Sequence, residues 1–217
     1  MDVPLCDIKP HYKPTPDGTS CPATETPDIQ STIQTLGLQP HIKGGYFVET
    51  DRDKTQVFQT TTGDLNSLGY FQTPGSRALS TTIFYFLTTG RPLGAFHRNK
   101  SRTVHTLHHG RGVYVLLTPR PGAGDLGDIH VETFVVGHDI ARGEKLQWIV
   151  EGGSYKASFL IPDRDGEAHS SGLLISETVT PGFEYEDHDF LEQDALKAMV
   201  NQEVFDQLKW LLRRGHA

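Results

Sequence analysis

The clearest pattern in the chain is a series of short β-branched and aromatic runs. They are LSTTIFYFLTT (79–89), GVYVLLTP (112–119), HVETFVVG (130–137), KLQWIVEGG (145–153), YKASFLIP (155–162) and GLLISETVTPG (172–182). Gly, Pro, Asp or Asn bounds each run, which predicts strands rather than helices. IFYFL and VYVLL are apolar at both alternate sets of positions, as strands covered on both faces are. RPLG (91–94), HHGRG (108–112), GAGDLGD (122–128), ARGE (141–144) and DRDGE (163–167) supply turns. Six or more strands at that spacing predict an all-β sandwich or small barrel. The ends of the chain read differently. Residues 1–27 carry Pro, Thr, Asp and Gly without apolar periodicity, which predicts an irregular arm. Asp28 can cap a short helix with Ile29, Ile33 and Leu36 on one face and Gly37 as its stop. From Asp194 the period changes: Leu196, Val200, Val204, Leu208 and Leu211 recur at helical spacing, predicting one helix within 194–213. The expected organisation is therefore an arm over 1–27, a barrel over 28–190, and a helical tail over 191–217 packed on the barrel or on a dimer partner.

Composition narrows the function classes. A formal charge of −7 with no concentrated basic face excludes the phosphate backbone of a nucleic acid as partner. No window approaches the roughly 18–20 apolar residues of a membrane span, and MDVPLCDIKPHYKP lacks the basic start and apolar run of a secretory signal. Cys6 and Cys21 cannot build a disulfide framework or a four-cysteine zinc site. Free thiols in a cytoplasmic protein are the expectation.

Two stretches resemble the paired motifs of the cupins. In the first, G-x5-H-x-H-x3,4-E-x6-G, the residues His97, Asn99, Thr103 and Gly110 fall at the positions of the two histidines, the glutamate and the closing glycine. Gly143, Gly153 and Lys156 match the second motif loosely, Lys156 standing where the last metal histidine would be. PHIKGGYFVET (40–50), STTIFYFL (80–87), His97–Arg98 and TVTPGF (178–183) are similar, in order, to the signatures of cupin family 5, HPEGGYFxET, sTxIYFLL, WHR and TVaPGF. The resemblance implies a double-stranded β-helix, often dimeric, with a small-molecule pocket in the barrel mouth; such cupins also occur in fungal secondary metabolism. The departures from the signatures are specific. The Pro–Glu of HPEGG is Ile42–Lys43, the motif glutamate is Thr103, the tryptophan after it is His105, a common glutamine is Lys156, and the cysteine before TVaPGF is Glu177.

These departures change the expected chemistry. A catalytic metal needs about three protein ligands, and of the cupin set only His97 is retained, beside Asn99, Thr103 and a lysine that repels cations. No metal and no other cofactor is expected, although His105, His109 and Glu49 or Glu177 offer donors that could regroup around an ion. Alternate strand residues share a face, so His97 with Asn99, and Thr103 with His105, can line one pocket. Imidazoles there suit general acid–base catalysis. Lys156 is a candidate to hold an enolate or carboxylate, and Glu49 or Glu177 to orient an imidazole. Tyr46, Phe84, Phe86, Trp148 and Phe183, with Asn99 and Thr103, are candidates for a substrate-binding wall. His108, His109 and the acidic run EYEDHDF (184–190) read as solvated. The expectation is a metal-independent isomerase, epimerase or cyclase moving protons on a small carbonyl-bearing or aromatic metabolite, working as a homodimer. A metal-dependent oxygenase or decarboxylase and a non-catalytic binding module are the alternatives.

Overall fold

A computed structural model describes residues 2–13, 25–58, 76–120 and 129–213. Cys21, with the rest of the stretch 14–24 of the arm, and the GAGDLGD turn (122–128) lie outside them. The strands are β1 (Gln39–Pro40), β2 (Tyr46–Arg52), β3 (Gln56–Phe58), β4 (Ser76–Ala78), β5 (Thr81–Leu87), β6 (Leu93–Arg98), β7 (Arg102–His109), β8 (Gly112–Pro119), β9 (Ile129–Val136), β10 (Gln147–Val150), β11 (Tyr155–Leu160), β12 (Leu173–Thr180) and β13 (Asp189–Phe190). Antiparallel pairing sorts most of them into two sheets, β1-β2-β5-β12-β7-β10 and β13-β6-β11-β8-β9, with β3 and β4 forming a separate ribbon. This is the double-stranded β-helix that the strand pattern and the motifs anticipate.

Three apolar layers explain why the central strands are hydrophobic at consecutive positions. Between the sheets lie Tyr85, Leu87, Tyr114, Leu116, Phe134 and Trp148. The intervening residues Val113, Val115 and Leu117 of β8 point the other way, where Leu196, Phe205, Leu208 and Leu211 of the C-terminal segment cover them. On the outside of the other sheet, Tyr46, Phe86 and Leu174 pack under Ile29 and Ile33 of helix α1 (Pro27–Leu36). That helix starts two residues earlier than the sequence suggests, with Thr26 rather than Asp28 at its N-cap. Pro27 fills its first turn, where a missing N–H costs nothing, and Asp28 sits inside that turn rather than capping it. The helix ends, as expected, at Gly37, whose φ is +66°.

The C-terminal segment is two helices where the sequence predicts one. Helix α2 (Gln193–Met199) stops at Val200, which is extended, and Asn201 caps helix α3 (Gln202–Leu208) by accepting from the Val204 N–H at 2.9 Å. A short polar side chain that bonds the backbone favours a cap over a helix interior. A single turn over Lys209–Leu211 follows. At the other end, Val3 donates its N–H to Thr133 O and Ile8 is buried against the same face as α3. None of the helices described is long and apolar enough to cross a membrane.

The turn before β2 fixes the position of the site. His41 and Gly45 close it through N–H to carbonyl bonds, and the Ala95 N–H of β6 reaches Lys43 O at 2.7 Å. Gly44 has φ +104°, and a Cβ there would lie 1.8 Å from Leu93 O. Gly166 has φ +83° but open space around it. Gly44→Ala should therefore lower the urea midpoint of unfolding, reflecting a loss of about 2 kcal/mol or more in unfolding free energy. Gly166→Ala should cost clearly less. Equal midpoints for the two variants would show that the close approach of Gly44 to β6 is not under constraint.

Candidate functional site

Five ionisable side chains form an unbroken row between the sheets. Glu177 stands on β12, opposite Ile83 of β5 and His105 of β7. Lys156 comes from β11 in the facing sheet, opposite His97 of β6. Its Nζ lies 2.8 Å from Glu177 Oε2 and 2.9 Å from His105 Nε2. Lys43, from the turn before β2, places Nζ 3.2 Å from Glu177 Oε1, 3.4 Å from His97 Nε2 and 4.2 Å above the Tyr85 ring. All five are buried. His97 Nδ1 lies 2.8 Å from Ala95 O, which can only accept, so Nδ1 carries the proton and Nε2 offers its lone pair to Lys43.

Burial and neighbouring charge set the protonation states. Burial opposes the charge of Glu177, but Lys156 and Lys43 hold its carboxyl well below the usual carboxylate range. Burial lowers Lys43 to about 8 against the pull of Glu177. His97 is pushed well below 6.5 by burial and then by Lys43 and Lys156, and His105 by burial and Lys156. Burial and Lys43 lower His41 to about 2 and His188 to about 4. At neutral pH the histidines around the row are therefore uncharged.

One end of the row opens into a cavity of about 60 Å³, space for roughly four waters. Lys43, His97 and Glu177 form its floor, with His41, Phe47, Ile83, Asn99, Val179, Phe183 and His188 around them. His188 stacks on His97 with ring centres 5.2 Å apart. Among the described residues, Asn99 Oδ1 and His188 Nε2 are buried there without a hydrogen-bond partner. A buried polar atom left unpaired is costly, so both await a polar group. At the rim Arg52 pairs with Glu49 at 2.9 Å and Glu184 at 2.7 Å. A larger cleft of about 350 Å³ lies past the other end of β7, but there Arg111 pairs with Glu144 and Asp165, and Arg142 with Asp165.

The residues anticipated from sequence divide into three groups. His97, Glu177, Asn99 and Phe183 line the cavity, and Glu49 stands at its exposed rim, tied to Arg52 rather than to an imidazole. His105, Lys156, Thr103 and Trp148 are inside the barrel but outside the cavity lining: His105 stacks on Trp148 at 5.0 Å, and its Nε2 is taken by Lys156. Tyr46, Phe84 and Phe86 are corrected outright. They occupy the opposite face of the sheet, in or against the layer under α1, while Phe47 and Ile83 turn inward. The run 184–190 is corrected as well. Asp187 is buried against Arg77 and Lys100, and His188 faces the cavity. Sequence reasoning missed His188, His41 and above all Lys43, whose one signal was the replacement of the usual glutamate in HPEGG.

The cupin metal position does not fit a metal here. Its four places hold His97, Asn99, Thr103 and Lys156, and two ammonium groups occupy both oxygens of the nearby carboxylate. Among the described residues no three His, Cys, Asp or Glu side chains converge as ligands. His109 sits instead against Phe86, far along β7 from Thr103.

The lowered histidines make stability depend on pH with a definite sign. His41, His97 and His105 titrate near 6.5 when unfolded and well below it when folded. Between those values the unfolded chain binds more protons, so stability falls as pH drops from 7 towards 5. Each of the three contributes at most about 1.4 kcal/mol per pH unit once below 6.5. Urea midpoints should fall between pH 7.5 and pH 5; a flat profile would mean that these imidazoles take up protons as readily in the folded protein as in the unfolded chain.

Similar proteins share this framework. The chain is 41% identical over 194 residues to the Saccharomyces cerevisiae protein YML079W, described as uncharacterised, covering 88% of this chain and 89% of that one. A hypothetical protein from Leishmania major of known structure is 25% identical, with a TM-score of 0.60 over 83% of this chain and 93% of that one. The Shewanella oneidensis protein SO0799 superposes with a TM-score of 0.62 at 24% identity, over 89% of this chain and 99% of that one. With the barrel, the motif spacing and a family match over residues 30–191, the chain belongs to cupin family 5, described as Cupin superfamily (DUF985).

Proposed function

We propose that this cupin is an enzyme that moves protons on a small carbonyl-bearing metabolite without a metal. The observation that supports it best is the convergence of Lys43, His97 and His188 on one small cavity. A Lys43 N–H aimed at a substrate carbonyl would stabilise the enolate that forms when the α-proton leaves. His97 and His188, neutral at neutral pH, each have a nitrogen lone pair able to take that proton. Their low proton affinity in the empty cavity rises as negative charge develops beside them. Return of the proton to the other face or to the adjacent carbon gives epimerisation or isomerisation, and attack by an internal nucleophile gives cyclisation. Behind the cavity, His105 accepts from Lys156, Lys156 holds Glu177, and Glu177 holds Lys43; these are positioning residues. Asn99 and the unpaired nitrogen of His188 suit a hydroxyl next to the carbonyl.

The test is solvent deuterium exchange, followed by proton NMR, on dihydroxyacetone, pyruvate and 2-oxobutyrate. His97→Ala and Lys43→Met should each slow exchange about 10²–10⁴-fold, or roughly 3–5 kcal/mol of transition-state stabilisation. His188→Ala should do the same if it is the proton acceptor, and otherwise mainly weaken binding. Compounds that bind without exchanging would make the protein a binding module. Wild-type exchange rates in both His97→Ala and Lys43→Met would overturn the assignment of the floor.

A further inference from the structure

We propose that Lys43 is a nucleophile, and that it condenses with the carbonyl carbon of a small 2-oxo acid in the cavity to form an imine. The proposal rests on reading the cavity as a carbonyl site, and adds a covalent step to it. Two lysines are buried in the row, and the fold treats them differently. Lys43 lines the cavity; Lys156 is behind it, its Nζ held at 2.9 Å and 2.8 Å by His105 and Glu177. A small carbonyl compound entering the mouth therefore meets one amine only.

Lys43 also has a route for its proton. His97 Nε2 lies 3.4 Å from Nζ with its lone pair turned towards it. Transfer of one proton from the ammonium to His97 leaves the free amine, which attacks the carbonyl carbon as the C=O π bond breaks. The nitrogen, made cationic by the attack, passes one proton to the substrate oxygen, which becomes the hydroxyl of a carbinolamine. The nitrogen lone pair then expels that hydroxyl, which leaves as water with the proton held by His97. One carbonyl and one amine give one imine and one water, with no oxidant or reductant. Burial that brings Lys43 to about 8 makes the free amine accessible near neutral pH. The protonated imine keeps a positive charge 3.2 Å from Glu177 Oε1, so the ion pair that anchors the residue outlasts the reaction.

The charge balance points to the substrate class. Two ammonium groups share one carboxylate at the floor, and that excess of positive charge favours a carbonyl compound bearing its own carboxylate. The protonated imine is in turn a better electron sink than the ketone, which would assist loss of the neighbouring proton.

Reductive trapping tests this on the full-length protein. With pyruvate or glyoxylate and sodium cyanoborohydride at pH 7.5, peptide mass mapping should place the reduced adduct on Lys43. Its rate should be at least tenfold above that at exposed Lys54 and Lys209. Lys43→Arg, which keeps the charge opposite Glu177 but cannot form an imine, should lose that adduct while its circular-dichroism spectrum is retained. Equal labelling of the exposed lysines with no excess at Lys43, or labelling of Lys156 in its place, overturns the proposal. Deuterium exchange without any adduct removes the imine and leaves the proton-transfer reading standing. An adduct without exchange retains the imine and removes proton transfer.

Discussion

The carboxylate of Glu177 is the constraint on which the interior of this barrel depends. It stands on one sheet and is held by an ammonium from the other, at 2.8 Å, and by a second from the turn before β2, at 3.2 Å. Sheets packed face to face lie about 10 Å apart, a gap that a glutamate and a lysine can span between them. Removing Glu177 leaves two ammonium groups charged and unpaired in a dry interior, a loss of roughly 3–5 kcal/mol, whereas removing either lysine leaves the other still paired with the carboxylate. Yet apolar side chains of equal volume would fill the same space at no net cost. Stability alone therefore does not account for three buried charges. Their arrangement presents one ammonium to a cavity and withholds the other from it, which is the feature the proposed reaction uses.

The barrel was legible in the sequence because its strands are short, β-rich and punctuated, and because the motif spacing carried through from residue 40 to 183. What periodicity could not decide was which face of each strand looks inward. On β5 the residues Ile83 and Tyr85 face the interior, and Phe84 and Phe86 face α1. All four are large and apolar, so a two-residue period gives no preference. The same ambiguity placed Tyr46 in the expected pocket and left out Phe47. On β12 the polar residue resolved it: Glu177 lies inward, and the side chains that alternate with it follow.

The site was legible as a set of unusual residues but not as a geometry. His97 and Glu177 were found because a motif marked them. His188 was obscured by EYEDHDF, where local acidity predicts solvation, although Asp187 is buried against Arg77 and Lys100 and turns its neighbour towards the cavity. His105 was found and misplaced: on β7 it does face inward, but Trp148 and Lys156 close over it. Depth within a barrel depends on which long side chains meet across the gap, and no single strand records that.

Lys43, Lys156 and Glu177 are three of the positions at which this chain leaves the usual signatures of its family, where glutamate, glutamine and cysteine are typical. The three lie far apart in sequence, yet in the fold they touch. A glutamate at 43 beside Glu177 would set two carboxylates against each other within the barrel, and a neutral residue at 177 would leave two ammonium groups unopposed. Lys43 and Glu177 are each costly without the other, and Lys156 pairs with the same carboxylate, so the three are coupled through Glu177 rather than independent. The row they form occupies the place where a cupin metal would be bound by histidines and a carboxylate. In the proposed reaction, a fixed positive charge supplied by Lys43 would take over one task a metal performs, polarising a carbonyl, and the lysine would in addition become a free amine. The shared barrel thus positions a different set of side chains, and the activity of a relative that lacks this trio does not transfer to this chain by fold alone.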